Sequence, residues 1–226
     1  MTTLFIRNPK TAGSSIVTRL KDHGAWEAGY GKSFRLADVK KRLGNEHCII
    51  LPGGMRHHIT KRLGLEALAA CWVVSAMRNP YARVISGWAH CIKKGWLAAS
   101  STPREAMKIT AARHPHIWHH VGRQQWRSMC QGPGKPIVDQ VLVFEWLQHD
   151  FDLLCDHLGY ERSTLPTLNQ SEHKPWRSYY TDDPGLRKLV ENKMREDFKL
   201  LPYRWDLDGP TGRIRGANTP CPKDCT

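Results

Sequence analysis

No stretch of the 226-residue sequence approaches the roughly 20 consecutive apolar residues of a membrane-spanning helix, so no membrane span is expected. No charged leader with an apolar core and a small-residue cleavage site opens the chain either. A strand is expected from about residue 3, so the sequence predicts no N-terminal anchor and a cytoplasmic protein. Acidic residues are scarce, 21 against 34 Lys and Arg, and the net charge of +13 favours an anionic partner. The seven cysteines are odd in number and scattered, several in apolar contexts. They read as buried thiols of a reducing compartment rather than a disulfide framework. Cys221 and Cys225 form only an isolated pair in a Pro-rich tail. There is no internal repeat. The G-x-x-x-x-G-K-[ST] loop that holds nucleotide and Mg²⁺ in P-loop kinases is missing, as is a carboxylate after a strand to support it.

What is present is an alternation of strands and helices. Leu4 to Ile6 reads as a buried strand, followed by a helix with Ile16, Val17 and Leu20 on one face. A short basic helix is expected over 35–43, a strand at Cys48–Leu51, and a helix from after His58 to Leu68. Cys71 to Met77 is continuous, apolar and β-branched, as a central parallel strand should be. A helix follows with Val84, Ile85, Trp88, Cys91 and Ile92 inward. Thr102 and Pro103 mark a capped helix start. Val138 to Phe144 is a further strand, and Glu145 to Leu158 an amphipathic helix ended by Gly159. A loop runs from Leu165 through Ser171 and Trp176. One long helix is expected over Asp182–Leu201. The class is α/β, a single P-loop-like domain over 1–207 with a mainly parallel central sheet flanked by helices. Residues 208–226, rich in Gly, Pro and charge, are expected to be a disordered tail.

Two segments carry chemistry. Asn8-Pro-Lys-Thr-Ala-Gly-Ser-Ser15 links the first strand to the first helix. Free N–H groups and the helix dipole there point at one spot, Lys10 adds a full charge, and Thr11, Ser14 and Ser15 add hydroxyls. Arg78-Asn-Pro-Tyr-Ala-Arg-Val-Ile-Ser86 leaves the strongest strand at the carboxyl edge of the sheet, where ligands bind in open α/β folds. Arg78 offers a fork for phosphate, and Ser86, two turns into the helix, adds a donor.

In this order the two segments resemble the phosphate sites of the carbohydrate sulfotransferases that use 3′-phosphoadenosine 5′-phosphosulfate (PAPS): the heparan 2-O-sulfotransferase, the chondroitin and dermatan enzymes and their microbial relatives. Gln124-Gln125, Phe144-Glu145, Asp150-Phe151, Asn169-Gln-Ser171, Tyr179-Tyr-Thr181 and Asp197-Phe198 with Tyr203 are similar to later family segments, so the likeness spans about residues 3–205. It implies that Lys10, Thr11, Ala12, Gly13, Ser14 and Ser15 hold the 5′-phosphosulfate and that Arg78 and Ser86 hold the 3′-phosphate. It also implies that Lys10 neutralises charge on the bridging oxygen without a metal. A histidine after the second strand serves as base in the 2-O-sulfating relatives. His58 aligns best with it and His57 is the alternative; Glu27 is a further candidate, since other sulfotransferases use a glutamate after the first helix.

The acceptor is expected to be a hydroxyl-bearing glycan or small molecule. The shortness of the chain puts a polysaccharide in doubt. A small kinase and a nucleic-acid-binding module are the competing readings. The kinase lacks its Mg²⁺ residues. The basic residues are dispersed among apolar helices and the tail, without a nucleic-acid-binding motif, so no nucleic-acid partner is expected. His114 to His120 reads as a solvated or substrate-facing basic surface rather than a metal site. Glu145 reads as a structural carboxylate at a helix start as readily as a catalytic one. Most of Trp88, Trp96, Trp118, Trp126 and Trp176 are expected in the core.

Overall fold

The structure, a computed structural model, describes residues 1–29, 34–52, 63–132 and 135–212. The first half contains β1 (Thr2–Ile6), α1 (Gly13–Asp22), β2 (Trp26–Glu27), α2 (Leu36–Arg42), β3 (Cys48–Leu51), α3 (Leu65–Ala69), β4 (Cys71–Met77) and α4 (Pro80–Lys93). Next come α5 (Pro103–Lys108) and α6 (Pro115–Ile117), which passes into a π-helical turn at Trp118–Gly122 and then a 3-10 turn at Gln125–Ser128. An antiparallel pair, β5 (Cys130–Gly132) and β6 (Lys135–Pro136), precedes β7 (Gln140–Val143) and a 3-10 turn at Phe144–Trp146. The chain closes with α7 (Leu147–Leu158), α8 (Trp176–Asp182), α9 (Pro184–Lys193) and α10 (Arg195–Leu200).

The main sheet has the order β2-β3-β1-β4-β7, and every neighbouring pair is parallel. Side chains alternate across it, as the two-residue period of a strand requires. Leu4, Ile6, Ile49, Leu51, Val73 and Met77 belong to one core layer. Phe5, Ile50, Val74 and Ala76 belong to another, covered by Ile16, Val17 and Leu20 of α1 and by Phe151 and Leu154 of α7. A third cluster, around Tyr81, Val84, Ile85, Val121, Tyr180, Leu186 and Val190, joins α4 to the C-terminal helices. The class is therefore the α/β architecture expected, with helices flanking a parallel sheet.

The connection after β1 leads out towards β2 and β3, whereas the one after β4 leads towards β7. The carboxyl ends of β1 and β4 thus form the switch point, where a crevice opens between diverging loops. Ser75 on β4 is fully buried there, and its Oγ donates to the carbonyl of Ile6, its register partner on β1, at 2.7 Å.

Several elements differ from expectation. The long helix over 182–201 is two helices, broken at Met194 (φ −104°, ψ 18°). The break releases the Lys193 carbonyl, which accepts from Gln124 Nε2, and reorients Asp197 into the interior. β2 and α8 fall where loops were read. β7 is shorter than 138–144, and Phe144 and Glu145 form a 3-10 turn ahead of α7. Of the helix expected after His58, Leu63 and Leu65–Ala69 are helical among the described residues. Ordered contacts run past the expected boundary at 208: Arg177 bonds Asp208 at 2.7 Å, and Tyr203 bridges Pro210. The five cysteines from Cys48 to Cys155 are buried; Cys221 and Cys225 lie outside the described residues.

Candidate functional site

A cleft of about 880 Å³ opens at the switch point, and both sequence-predicted phosphate segments line it. On the β1 side, Lys10 (φ 66°) and Ala12 (φ 58°) are left-handed while Thr11 between them is not. Such alternation turns successive N–H groups into one concavity. Ala12 is the N-cap of α1 and supplies no side-chain hydrogen bond, and the first turn holds no acidic residue. By contrast, α4 is capped by its own Asn79, whose Oδ1 accepts from the Tyr81 N–H at 2.9 Å. The N–H groups of α1 are thus left to an external anion.

Lys10, Ala12, Gly13, Ser14 and Ser15 all face the cleft. Thr11, expected to offer a hydroxyl, is fully buried, and its Oγ1 donates to the Asn8 carbonyl at 2.9 Å. Its part is to brace the loop. Asn8, also buried, sends Nδ2 to the carbonyls of Ala76 and Gln125 (3.3 and 3.4 Å), tying this loop to the second one.

On the β4 side, Arg78 and Ser86 line the same cleft. Gln125 is fully buried and clamps the Arg78 backbone from both sides. Its Oε1 accepts from the Arg78 N–H at 3.0 Å, and its Nε2 donates to the Arg78 carbonyl at 2.9 Å. The guanidinium lies over the Phe144 ring at 4.1 Å, and its Nε is buried with no hydrogen-bond partner among the described residues. Burial disfavours its charge, yet an arginine stays protonated. Burial first, and then Arg78, pushes the Lys10 ammonium down to about 8. Neither cation has a carboxylate ion pair among the described residues. Glu145 acts on Arg78 through its charge without an ion pair among the described residues, and two cations sharing a cleft, one with an orphaned nitrogen, fit a ligand with two anionic groups.

The carboxylate candidates have partners. Glu27 pairs with Arg7, which lines the cleft, at 2.9 Å and with Lys21 at 3.2 Å, one oxygen each. Glu145 accepts from the Asn79 N–H (2.8 Å) and the Tyr203 hydroxyl (2.9 Å), so it supports the start of α4. His57 and His58 lie outside the described residues.

Four histidines not singled out as site residues line the cleft: His173 from the loop before α8, and His90, His119 and His120 together on one wall. Burial, and after it surrounding cations and imidazoles, holds the latter three down to about 4, 4 and 3. Burial thus disfavours the charge of these three rings, and His119 and His120 belong to the cleft-facing part of the 114–120 stretch. His90 was findable, since it lies one helical turn beyond Ser86. Among the tryptophans, Trp126 is core, Trp176 sits in an aromatic cluster with Tyr81, Tyr180 and Trp205, and Trp96 is 41% exposed beside His120. Among the described residues no group of three or more His, Cys, Asp or Glu is placed to hold a metal, and no helix is long and apolar enough to cross a membrane.

Fold and cleft define an α/β protein with Lys10 and Arg78 in one cleft at the switch point of a parallel sheet. Mouse sulfotransferase SULT7A1, whose crystal structure is complexed with PAP, shares this fold: the TM-score is 0.51 at 12% identity, over 86% of this chain and 85% of that one. A sulfotransferase from Alicyclobacillus acidocaldarius superposes with a TM-score of 0.46 at 15% identity, over 86% of this chain and 96% of that one. No family model and no curated protein matches the sequence.

Proposed function

We propose that this chain is a sulfotransferase that moves the sulfuryl group of PAPS to a hydroxyl acceptor, a carbohydrate being the acceptor class the sequence resemblance favours. The observation that carries the reading is the convergence of Lys10 and Arg78, neither in a carboxylate ion pair among the described residues, on one cleft beside a helix N-terminus without a side-chain cap. The shared fold with a PAP-bound sulfotransferase supports it.

In this reading the 10–15 loop holds the 5′-phosphosulfate through backbone N–H groups, Ser14 and Ser15, while Arg78 and Ser86 hold the 3′-phosphate. Bound PAPS supplies an activated sulfuryl group for in-line displacement, a reaction governed by positioning and charge stabilisation. Lys10 neutralises the charge that builds on the leaving phosphate oxygen, the role a metal fills in Walker-type sites. Gln125 fixes the backbone from which Arg78 projects. The acceptor proton is assigned to His58, with His57 as the alternative, on the resemblance alone.

Calorimetric titration with 3′-phosphoadenosine 5′-phosphate (PAP), without Mg²⁺, is the test. The parent is expected to bind in the micromolar range. Arg78→Ala removes about two charge-assisted hydrogen bonds and should weaken binding ~100-fold. A parent that ignores PAP but binds ATP–Mg²⁺ would sink the proposal in favour of a kinase.

A further inference from the structure

Gly87 and Arg83 of α4 act on one neighbouring turn. A Cβ on Gly87 would lie 2.3 Å from the His120 carbonyl oxygen, so a side chain there would force the Trp118–Gly122 turn off α4. Arg83, 1% exposed, crosses to the same segment and donates to the carbonyls of Val121 and Arg123. A π-helical turn is rare and recurs at functional sites. Here it is gripped from two sides and carries His119 and His120 into the cleft wall. The His120 ring stands 4.8 Å from that of His90 and 5.6 Å from Trp96, centroid to centroid. Lys10 is near enough for its charge to act on both His90 and His120.

Nδ1 of His120 is buried and has no hydrogen-bond partner among the described residues. A proton there would be an orphaned N–H, a worse defect than an unused lone pair. The neutral ring therefore keeps its proton on Nε2, and the ring lines the cleft. Burial opposes the imidazolium, as do His119 on its own turn, His90 and Arg83 on α4, and Lys10 on the loop.

We propose that His120 is a neutral N–H donor to the sulfuryl oxygens of bound PAPS, beside Lys10, and that Gly87 and Arg83 are positioning residues that hold it there. The inference rests on the sulfotransferase reading and gives His120 a role separate from that of the base.

The experiment compares PAPS with PAP, which lacks the sulfuryl group, by calorimetry on the whole chain. His120→Leu is expected to lower the PAPS-over-PAP affinity ratio about tenfold with PAP affinity unchanged. His120→Gln, which keeps an N–H donor, should restore most of the ratio. Gly87→Ala, which touches no ligand, should lower it as His120→Leu does. An unchanged ratio in His120→Leu and Gly87→Ala, or equal losses of PAP and PAPS in both, would overturn the proposal while leaving the sulfotransferase reading intact. A parent that binds neither ligand would overturn both.

Discussion

Lys10 and Ala12 hold left-handed backbone angles that a non-glycine residue adopts at a cost of about 1–3 kcal/mol each. The fold tolerates them because Thr11 and Asn8 lock the loop from beneath. Lys10 is poised in a second respect. Its ammonium, lowered to about 8, is partly deprotonated in mildly alkaline solution. An anion beside it raises its pKa, so PAP binding at pH 8 is expected to take up protons. Calorimetry in buffers of different ionisation enthalpy measures this uptake, and affinity should fall as pH rises through 8. Lys10→Met should abolish the uptake. At the opposite wall, Gln125→Leu strips the Arg78 N–H and carbonyl of their partners. It should cost about 1–3 kcal/mol in urea unfolding and weaken PAP binding several-fold. That Lys10, Arg78 and Ser86 would gather at the carboxyl edge of the sheet was legible from their types and spacing, and all three line the cleft. The inward turn of Thr11 was not, since a hydroxyl beside a lysine gives no hint of which way it faces.

The 3-10 turn at Gln125–Ser128 shows what pattern reading cannot reach among the elements. It is capped from far along the chain by Asp197, fully buried, which accepts from the N–H groups of Gln125 (3.0 Å) and Trp126 (2.8 Å). Buried Arg83 is its electrostatic counterpart. Asp197→Asn leaves that guanidinium uncompensated and is expected to destabilise the protein by about 3 kcal/mol in urea unfolding. A loss below ~1 kcal/mol would show that the charge is dispensable. The apolar periodicity of residues 186–201 announces one helix, because both halves keep an inward face; the break at Met194 is imposed by this distant cap. The strands β1, β3 and β4 were legible for the converse reason, being short, continuous and apolar. The two-residue β2 and the helix α8 carry too little pattern to stand out. The π-helical turn follows from packing against Gly87, a contact 33 residues away in sequence.

Across the whole molecule, buried neutral histidines couple folding to acidity. His90, His119 and His120 titrate far below the ordinary 6.5 in the folded state, so between about pH 6.5 and 4 the unfolded chain binds more protons. Stability is therefore lost as pH falls through that window. Thermal unfolding across it should show a declining Tm, with a shallower slope in a His90→Gln/His120→Gln variant. The α/β class was legible at this scale because strand and helix patterns alternate. The convergence of the two loops followed once β1 and β4 were neighbours, which the order of segments alone does not dictate.

That adjacency has a further effect. The Ser75–Ile6 hydrogen bond fastens β1 to β4 on the last rung before the two loops part. Adjacent strands stand about 4.8 Å apart, so the reach between the cation on one loop and the cation on the other is inherited from the sheet. In the proposed function the pair would work as a caliper. A molecule carrying two anions at the matching span is gripped a second time without a second diffusive encounter, at an effective concentration on the order of millimolar. A molecule with one of those anions forfeits that chelate gain, however well its single charge is held.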